Sequence, residues 1–167
     1  MKKYKPTTPS RRTMTGIDYR KVLTASKPLK SLTSGFSRGT GRNAAGRITT
    51  YYKGAGHKRS YRDVDFKYTK FDIPAKIASV EYDPNRSGFI GLAVYADGAK
   101  TYVLLPKEIK VGDKFIVSEK ADLNVGNRCM LRNIPVGTNV YNIEIKKGGG
   151  AKMVRSAGSF AQVVAHD

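Results

Sequence analysis

The chain has 167 residues, one cysteine, no tryptophan, and 31 Lys or Arg against 13 Asp or Glu, for a net charge of +18. That length fits one ordinary domain, or two small barrels with an extension, and the charge places the chain among polyanion binders. The lone Cys129, a small hydrophobe in an apolar run, excludes an internal disulfide and a cysteine-rich zinc site, and no apolar run approaches the ~20 residues of a membrane-spanning helix.

Charge is unevenly spread along the chain. Residues 1–59 hold fifteen Lys or Arg and a single acid, Asp18, whereas residues 60–167 hold sixteen and twelve. The first part therefore reads as a basic arm and the rest as a near-balanced body. Residues 1–34 contain Pro6, Pro9 and Pro28, many Ser and Thr, and few large apolar side chains. Such a segment buries too little surface to offset its ordering entropy, so an irregular arm is expected, with one strand or turn over residues 16–23. It also lacks the apolar core of a secretory signal. Lys2, Lys3, Lys5, Arg11 and Arg12 are candidate phosphate contacts, weighed against plain solubilising charge.

Residues 35–62, GFSRGTGRNAAGRITTYYKGAGHKRSYR, carry Arg38, Arg42, Arg47, Lys53, Lys58, Arg59 and Arg62 and no acid. Six glycines space these charges, and Tyr51, Tyr52 and Tyr61 lie among them. Cations attract phosphate, glycine admits close backbone approach, and tyrosine rings give unpaired bases a stacking surface. His57, between Gly56 and Lys58, suits base stacking or a hydrogen bond to phosphate or ribose. Disorder in isolation is the plainer reading, and it is compatible with ordering on RNA.

From Tyr61 the texture changes to short runs rich in β-branched and aromatic residues, beginning with 61–66 and 73–82. The sequence Asp83-Pro84-Asn85-Arg86-Ser87-Gly88 predicts a tight reversal, on which Arg86 either reaches RNA or pairs with Asp83. Runs 89–96 and 100–105 flank Asp97-Gly98, a hairpin signal, and Pro106 ends the second. Further strands are predicted over 114–118, over 139–145 with the odd-numbered Tyr141, Ile143 and Ile145 dominating one face, and over 160–165. Between the last two, Lys146-Lys147-Gly148-Gly149-Gly150 predicts a basic loop on a phosphate backbone. No segment sustains a helical period. Many short strands at close spacing predict an all-β protein built of small barrels.

Signatures of chemistry are sparse. His57 and His166 belong to no ligand cluster, and Gly148-Gly149-Gly150-Ala151-Lys152 lacks the spacing and ending of a P-loop. Asp63 and Asp65 share a face on a strand, where pairing with neighbouring arginines is a better reading than a catalytic or metal pair. No catalytic residue, metal site or cofactor is predicted.

Several motifs taken together resemble a known family. They are Gly41-Arg42-Asn43-Ala44-Ala45-Gly46-Arg47-Ile48-Thr49, then Gly56-His57-Lys58-Arg59 with Tyr61-Arg62, Asp65-Phe66, and Val80-Glu81-Tyr82-Asp83-Pro84-Asn85-Arg86-Ser87. Gly126-Asn127, Ile134-Pro135-Val136-Gly137-Thr138, Gly148-Gly149-Gly150 and Arg155-Ser156-Ala157-Gly158 continue the series, and Lys3-Tyr4-Lys5-Pro6-Thr7 opens it. In this order they resemble the bacterial-type universal large-subunit ribosomal protein L2 family across essentially the whole chain.

The resemblance implies a basic rRNA-binding extension over 1–59, an OB-fold barrel over 60–125 and an SH3-like barrel over 126–167. It implies a structural constituent of the large ribosomal subunit, supporting assembly and subunit association near the peptidyl-transferase region, in contact with neighbouring ribosomal proteins. Arg42, Asn43, Arg47, His57, Lys58, Arg59 and Arg62 then fall in the part that buries in rRNA, and Lys147, Lys152 and Arg155 in the glycine-rich part of the second barrel. Members of the family continue past the position matching His166-Asp167, completing the second barrel and adding a glycine- and histidine-rich tail. The expectation is an incomplete second barrel with an exposed edge unless a separate chain covers it. A bacterial cytoplasmic ribosome is expected, with an organellar one open. The alternative reading is a free OB-fold RNA chaperone or translation factor, which a high-salt gradient would wash from the particle.

Overall fold

The structure, a computed structural model, describes residues 1–166. In chain order the strands are β1 (Lys2–Lys3), β2 (Thr15–Gly16), β3 (Thr33–Gly35), β4 (Ser60–Arg62), β5 (Ala75–Glu81), β6 (Ile90–Tyr95), β7 (Lys100–Leu104), β8 (Lys114–Phe115), β9 (Asn139–Val140), β10 (Ile143–Glu144), β11 (Ala151–Met153) and β12 (Ala161–Gln162). Among the described residues helix is limited to α1 (Pro9–Thr13), α2 (Tyr19–Val22) and two 3₁₀ turns at 30–32 and 131–133. The protein is all-β.

The central sheet is antiparallel in the order β7-β6-β5-β8. The β6–β7 connection is the predicted Asp-Gly hairpin. The Gly98 N–H donates to the Tyr95 carbonyl, the Ala99 N–H donates to the Asp97 side chain, and Gly98 sits at φ +83°, a left-handed position that suits glycine. Across β5–β6 the register shifts between Ile77 and Ser79, so the strand carries a bulge at Ala78. The bulge decides which way the end of β5 faces. Ile77 lies opposite Ala93 and Glu81 opposite Ile90, which places Glu81 on the other face of the sheet from Ile77.

Each face of the sheet has its own core. On one, Ile77, Ala93, Tyr95, Val103, Phe115 and Val117 pack with Tyr68. On the other, Ile90 and Tyr102 pack with Val64, and Leu29, Leu32, Phe66 and Leu92 lie against them. Two-sided burial explains why residues 89–96 read as a nearly unbroken apolar run. The second core also docks the arm. The fully buried Tyr102 hydroxyl accepts from the Leu29 N–H at 2.8 Å and donates to Glu81 at 2.7 Å. Beyond the short stretch of β5 that β8 covers, the Thr24 N–H donates to the Val80 carbonyl, and the Val80 N–H donates to the Thr24 hydroxyl.

Downstream of the sheet the chain forms two short ribbons, β9–β12 and β10–β11. Residues 139–145, expected to be one alternating strand, are instead split between them. Asn142 adopts φ +55° between β9 and β10, and its buried amide donates to the Tyr68 hydroxyl at 2.8 Å while its N–H donates to the Val154 carbonyl. Anchoring to Tyr68 stabilises a kink that the hydrophobic alternation did not encode. The expected strands over 114–118 and 160–165 shrink to the two-residue β8 and β12, with Val117 adding an isolated bridge to Arg128. Among the described residues no helix is long and apolar enough to cross a membrane.

Candidate nucleic-acid interface

The ribbon β3–β4 pairs Thr33 with Arg62, Ser34 with Tyr61 and Gly35 with Ser60, closing the base of a loop over residues 36–59. Inside it the chain folds on its own backbone. The Thr49 and Thr50 N–H groups both donate to the Gly41 carbonyl, and Arg42 bridges Ile48. Asn43 closes a turn: its N–H donates to the Arg47 carbonyl, its side-chain oxygen accepts from the Arg47 N–H at 2.9 Å, and its carbonyl accepts from Gly46. Gly41 is buried at φ +66°, where an added Cβ would meet the Thr50 carbonyl oxygen at 2.5 Å. No other residue fits there without displacing backbone.

This architecture turns the loop's side chains outward. Arg42, Arg47, Lys53, His57, Lys58 and Arg59 are exposed, and Tyr51 and Tyr52 are almost wholly so at 81% and 107% of full accessibility. Their hydrogen bonds go to backbone carbonyls and leave the charges uncompensated. Arg38 donates to Ala55, Arg42 to Gly46, Arg59 to Pro84, and Arg62 to Ser60. The His57 ring lies 3.1 Å from its neighbour's carbonyl at Lys58. Tyr61 packs edge-to-face on Phe36 with ring centroids 5.8 Å apart.

In the arm, β1 and β2 pair around the one-turn α1, placing Lys2 and Arg11 over the Tyr4 ring at 5.3 and 5.8 Å. Lys3, Lys5 and Arg12 are exposed nearby. The start of the arm thus folds on itself, and Thr24 and Leu29 hold the segment after it to the sheet.

Ion pairing separates arm from body. Four ion pairs form among the described residues: Lys70–Asp97, Arg86–Asp83 at 2.5 Å, Arg128–Glu144 at 3.1 Å and Lys147–Glu119 at 3.7 Å. None uses any of the sixteen Lys and Arg of residues 1–62. For Arg86 the structure realises the pairing alternative. Its guanidinium is bound to the fully buried Asp83 and lies 5.4 Å from the Phe66 ring centroid, which Arg155 approaches to 4.5 Å. Asp65 accepts from the N–H groups of Lys67 and Tyr68 and not from an arginine, because the chain turns there directly after Val64 bridges Tyr102.

The Asp83–Ser87 reversal is a junction. Asn85 donates to the Ser60 carbonyl, Arg59 to Pro84, and the Ala157 N–H to the Ser87 hydroxyl, so loop, sheet and C-terminal ribbons meet on it. The glycine-rich loop at 146–150 uses its amides internally: Gly149 donates to Lys146, and Gly150 to Glu144. It presents side chains outward, with Lys147 and Lys152 exposed. Desolvation raises the Glu144 carboxyl, but the Gly150 N–H and the Arg128 guanidinium outweigh it and hold the group below the usual range.

Sequence reasoning missed three positioning residues. Arg128 donates to the Asn142 carbonyl and Glu144 while lying 4.6 Å over the Tyr68 ring, joining sheet to ribbons. Its signal was a lone arginine next to an apolar run. Thr24 and Tyr102 had none, because their roles depend on residues 56 and 73 positions away.

Two family models match the chain. Ribosomal Proteins L2, RNA binding N-terminal domain, covers residues 29–118, and Ribosomal Proteins L2, C-terminal domain, covers residues 124–167. Curated relatives named large ribosomal subunit protein uL2 are 50% identical in Rhodopseudomonas palustris (strain BisB5), 48% in Parvibaculum lavamentivorans and 50% in Methylocella silvestris, each over the whole of this chain. The chain spans 60% of the length of each of these relatives.

Proposed function

The chain belongs to the ribosomal protein L2 family, and from that premise we propose that it is a structural, non-catalytic constituent of a bacterial large ribosomal subunit that binds rRNA. The observation that carries this reading is the arm's unpaired charge: every ion pair found lies in the body, and the outward cations of residues 1–62 are left for an external polyanion. Affinity comes mostly from counterion release, and exposed Tyr51 and Tyr52 add stacking surface for unpaired bases.

The contact set is the one read from sequence: Lys2, Lys3, Lys5, Arg11, Arg12, Arg38, Arg42, Asn43, Arg47, Tyr51, Tyr52, Lys53, His57, Lys58, Arg59, Tyr61, Arg62, Arg86, Lys147, Lys152 and Arg155. Within it Asn43 acts by shaping the turn that aims Arg42 and Arg47, and Arg86 by holding the reversal that anchors Arg59. The division into a binding extension (1–59), an OB-fold barrel (60–125) and an SH3-like barrel (126–167) is supported by the change in charge at residue 59 and by the separate ribbons after residue 126. Neighbouring ribosomal proteins, or a chain adding strands to ribbons β9–β12 and β10–β11, complete its surroundings. The exposed Ile145, Met153 and Phe160 around those ribbons suit such a partner.

The test replaces Arg42, Arg47, Lys58 and Arg59 together with Ala. The variant should keep its circular dichroism and fail to enter large subunits on a sucrose gradient. Normal incorporation would overturn the reading.

A further inference from the structure

Where the arm crosses the end of the sheet it leaves a cleft of about 470 Å³, within the ~300–1,000 Å³ typical of small-molecule sites. Its lining includes Tyr19, Lys27, Pro28, Arg62, Glu81 and Tyr82. Tyr19 and Tyr82 stand edge-to-face with centroids 5.6 Å apart, and each is 47% exposed, which leaves aromatic surface uncovered.

The polar groups are left incomplete. Arg62 donates through one terminal nitrogen to the Ser60 carbonyl, while its buried Nε has no partner. A buried donor left unpaired is costly, and an incoming acceptor would relieve that cost. Glu81 accepts from the Ser79 hydroxyl at 2.8 Å and the Tyr102 hydroxyl at 2.7 Å, one bond on each carboxylate oxygen. A carboxylate offers about four acceptor positions, so roughly two remain. Arg62 and Glu81 line the same cleft and form no ion pair with each other.

The complement of this lining is a planar ring whose edge carries acceptors for a guanidinium and paired donors for a carboxylate. Among nucleobases guanine fits: O6 and N7 accept, and the adjacent N1–H and N2–H groups donate. Adenine lacks the paired donors.

We propose that this cleft captures one unpaired guanine of an RNA, its ring against Tyr82 and Tyr19, its edge between Arg62 and Glu81, and its phosphate near Lys27. The proposal rests on the RNA-binding reading above and adds a base-specific site to an interface otherwise held by phosphate attraction.

The experiment cross-links the full chain by ultraviolet light to a large-subunit rRNA fragment and maps adducts by mass spectrometry. It is paired with binding assays on Tyr82→Ala and Arg62→Lys and with NMR titrations of GMP and AMP. The expected results are a guanosine adduct on Tyr82 or Tyr19 and an affinity loss of about tenfold in each variant, comparable to removing one base–aromatic stack. The salt slope should stay unchanged, since neither substitution alters charge. RNA binding at parental affinity in both variants, with adducts confined to other residues, overturns the cleft while sparing the RNA-binding reading. No RNA binding by the parent chain overturns that reading and capture from RNA with it. The titrations then separate the sources: a saturable preference for GMP over AMP reassigns the cleft to free nucleotides, and no response to either removes it as a guanine site.

Discussion

The loop over residues 36–59 and the sheet formed by β5, β6, β7 and β8 are stabilised by different interactions. The sheet buries Ile77, Ile90, Ala93 and Tyr102 to 0% exposure, and the ion pairs Lys70–Asp97 and Arg86–Asp83 form in the chain around it. The loop buries almost nothing, and its order comes from backbone hydrogen bonds, a ribbon at its base and the conformation of Gly41. Apolar burial is insensitive to salt and tolerates a neutral surface, whereas a surface meant for polyanions must stay charged and unpaired. Separating the two lets the body fold without its ligand while the loop keeps its cations free.

The sharpest way to break this division is to strike each region with its own kind of damage. Ile77→Ala in the larger core should cost about 2–5 kcal/mol in urea unfolding. Its effect on RNA affinity should appear only as loss of folded protein. Replacing Arg42, Arg47, Lys58 and Arg59 with Ala should leave the urea midpoint nearly unchanged. It should lower the slope of log affinity against log salt by about 3–4. A quadruple variant that unfolds as readily as Ile77→Ala would mean that the loop is part of the core.

Next in size is the link between them. Tyr102→Phe removes the hydroxyl that satisfies both the Leu29 N–H and Glu81, at a cost of about 1–3 kcal/mol, and should speed amide exchange at Leu29 before it disturbs the sheet. The same hydroxyl predicts an alkaline transition. Burial, with a further contribution from the bond to Glu81, pushes the Tyr102 pKa up to about 12, above its ordinary value, so the protonated form is the one favoured by folding. That stabilisation is complete below about pH 10 and is lost as pH rises towards 12. Desolvation of the half-buried Tyr141 also raises its pKa to about 12 and acts in the same direction. Tyr102→Phe should flatten the fall in stability over this window, and an unchanged pH profile would remove Tyr102 as its source.

Within the loop itself, Gly41→Ala should cost about 1–3 kcal/mol of local order, since it forces a Cβ against the Thr50 carbonyl in a left-handed conformation. The readout is protease cleavage between residues 40 and 50 at an unchanged global midpoint. A loop that resists cleavage as well as the parent would show that it does not depend on this residue.

What could be read from sequence followed the reach of each interaction. Asp97-Gly98, the Asp83–Arg86 reversal and the basic glycine-spaced loop are local, so composition and spacing expose them. The β5 bulge, which turns Glu81 towards Tyr102, leaves no mark in the pattern of residues 75–81, because a bulge is defined by its partner strand. For the same reason residues 139–145 alternate like one strand although Asn142 breaks them into two: the kink is held by Tyr68, 74 positions away. At the interface, charge was visible and its availability was not. Arg42 and Arg86 look alike as isolated arginines, and only the buried Asp83 distinguishes a free guanidinium from an occupied one.

Lys147 tests the boundary between the two regions with the smallest effect. It pairs with Glu119 at 3.7 Å, but their side chains are 85% and 58% exposed. So open a pair contributes between zero and about 1 kcal/mol, and salt screens it further. Lys147→Ala should therefore shift the urea midpoint barely at all. If Lys147 belongs to the body, RNA affinity and its salt slope should not move either. If it reaches phosphate as proposed, the slope should fall by about 0.7–0.9 while stability holds, the signature of a single contact whose only partner of consequence is the nucleic acid. A stability loss with no change in slope would instead assign Lys147 to the Glu119 pair and remove it from the proposed contact set.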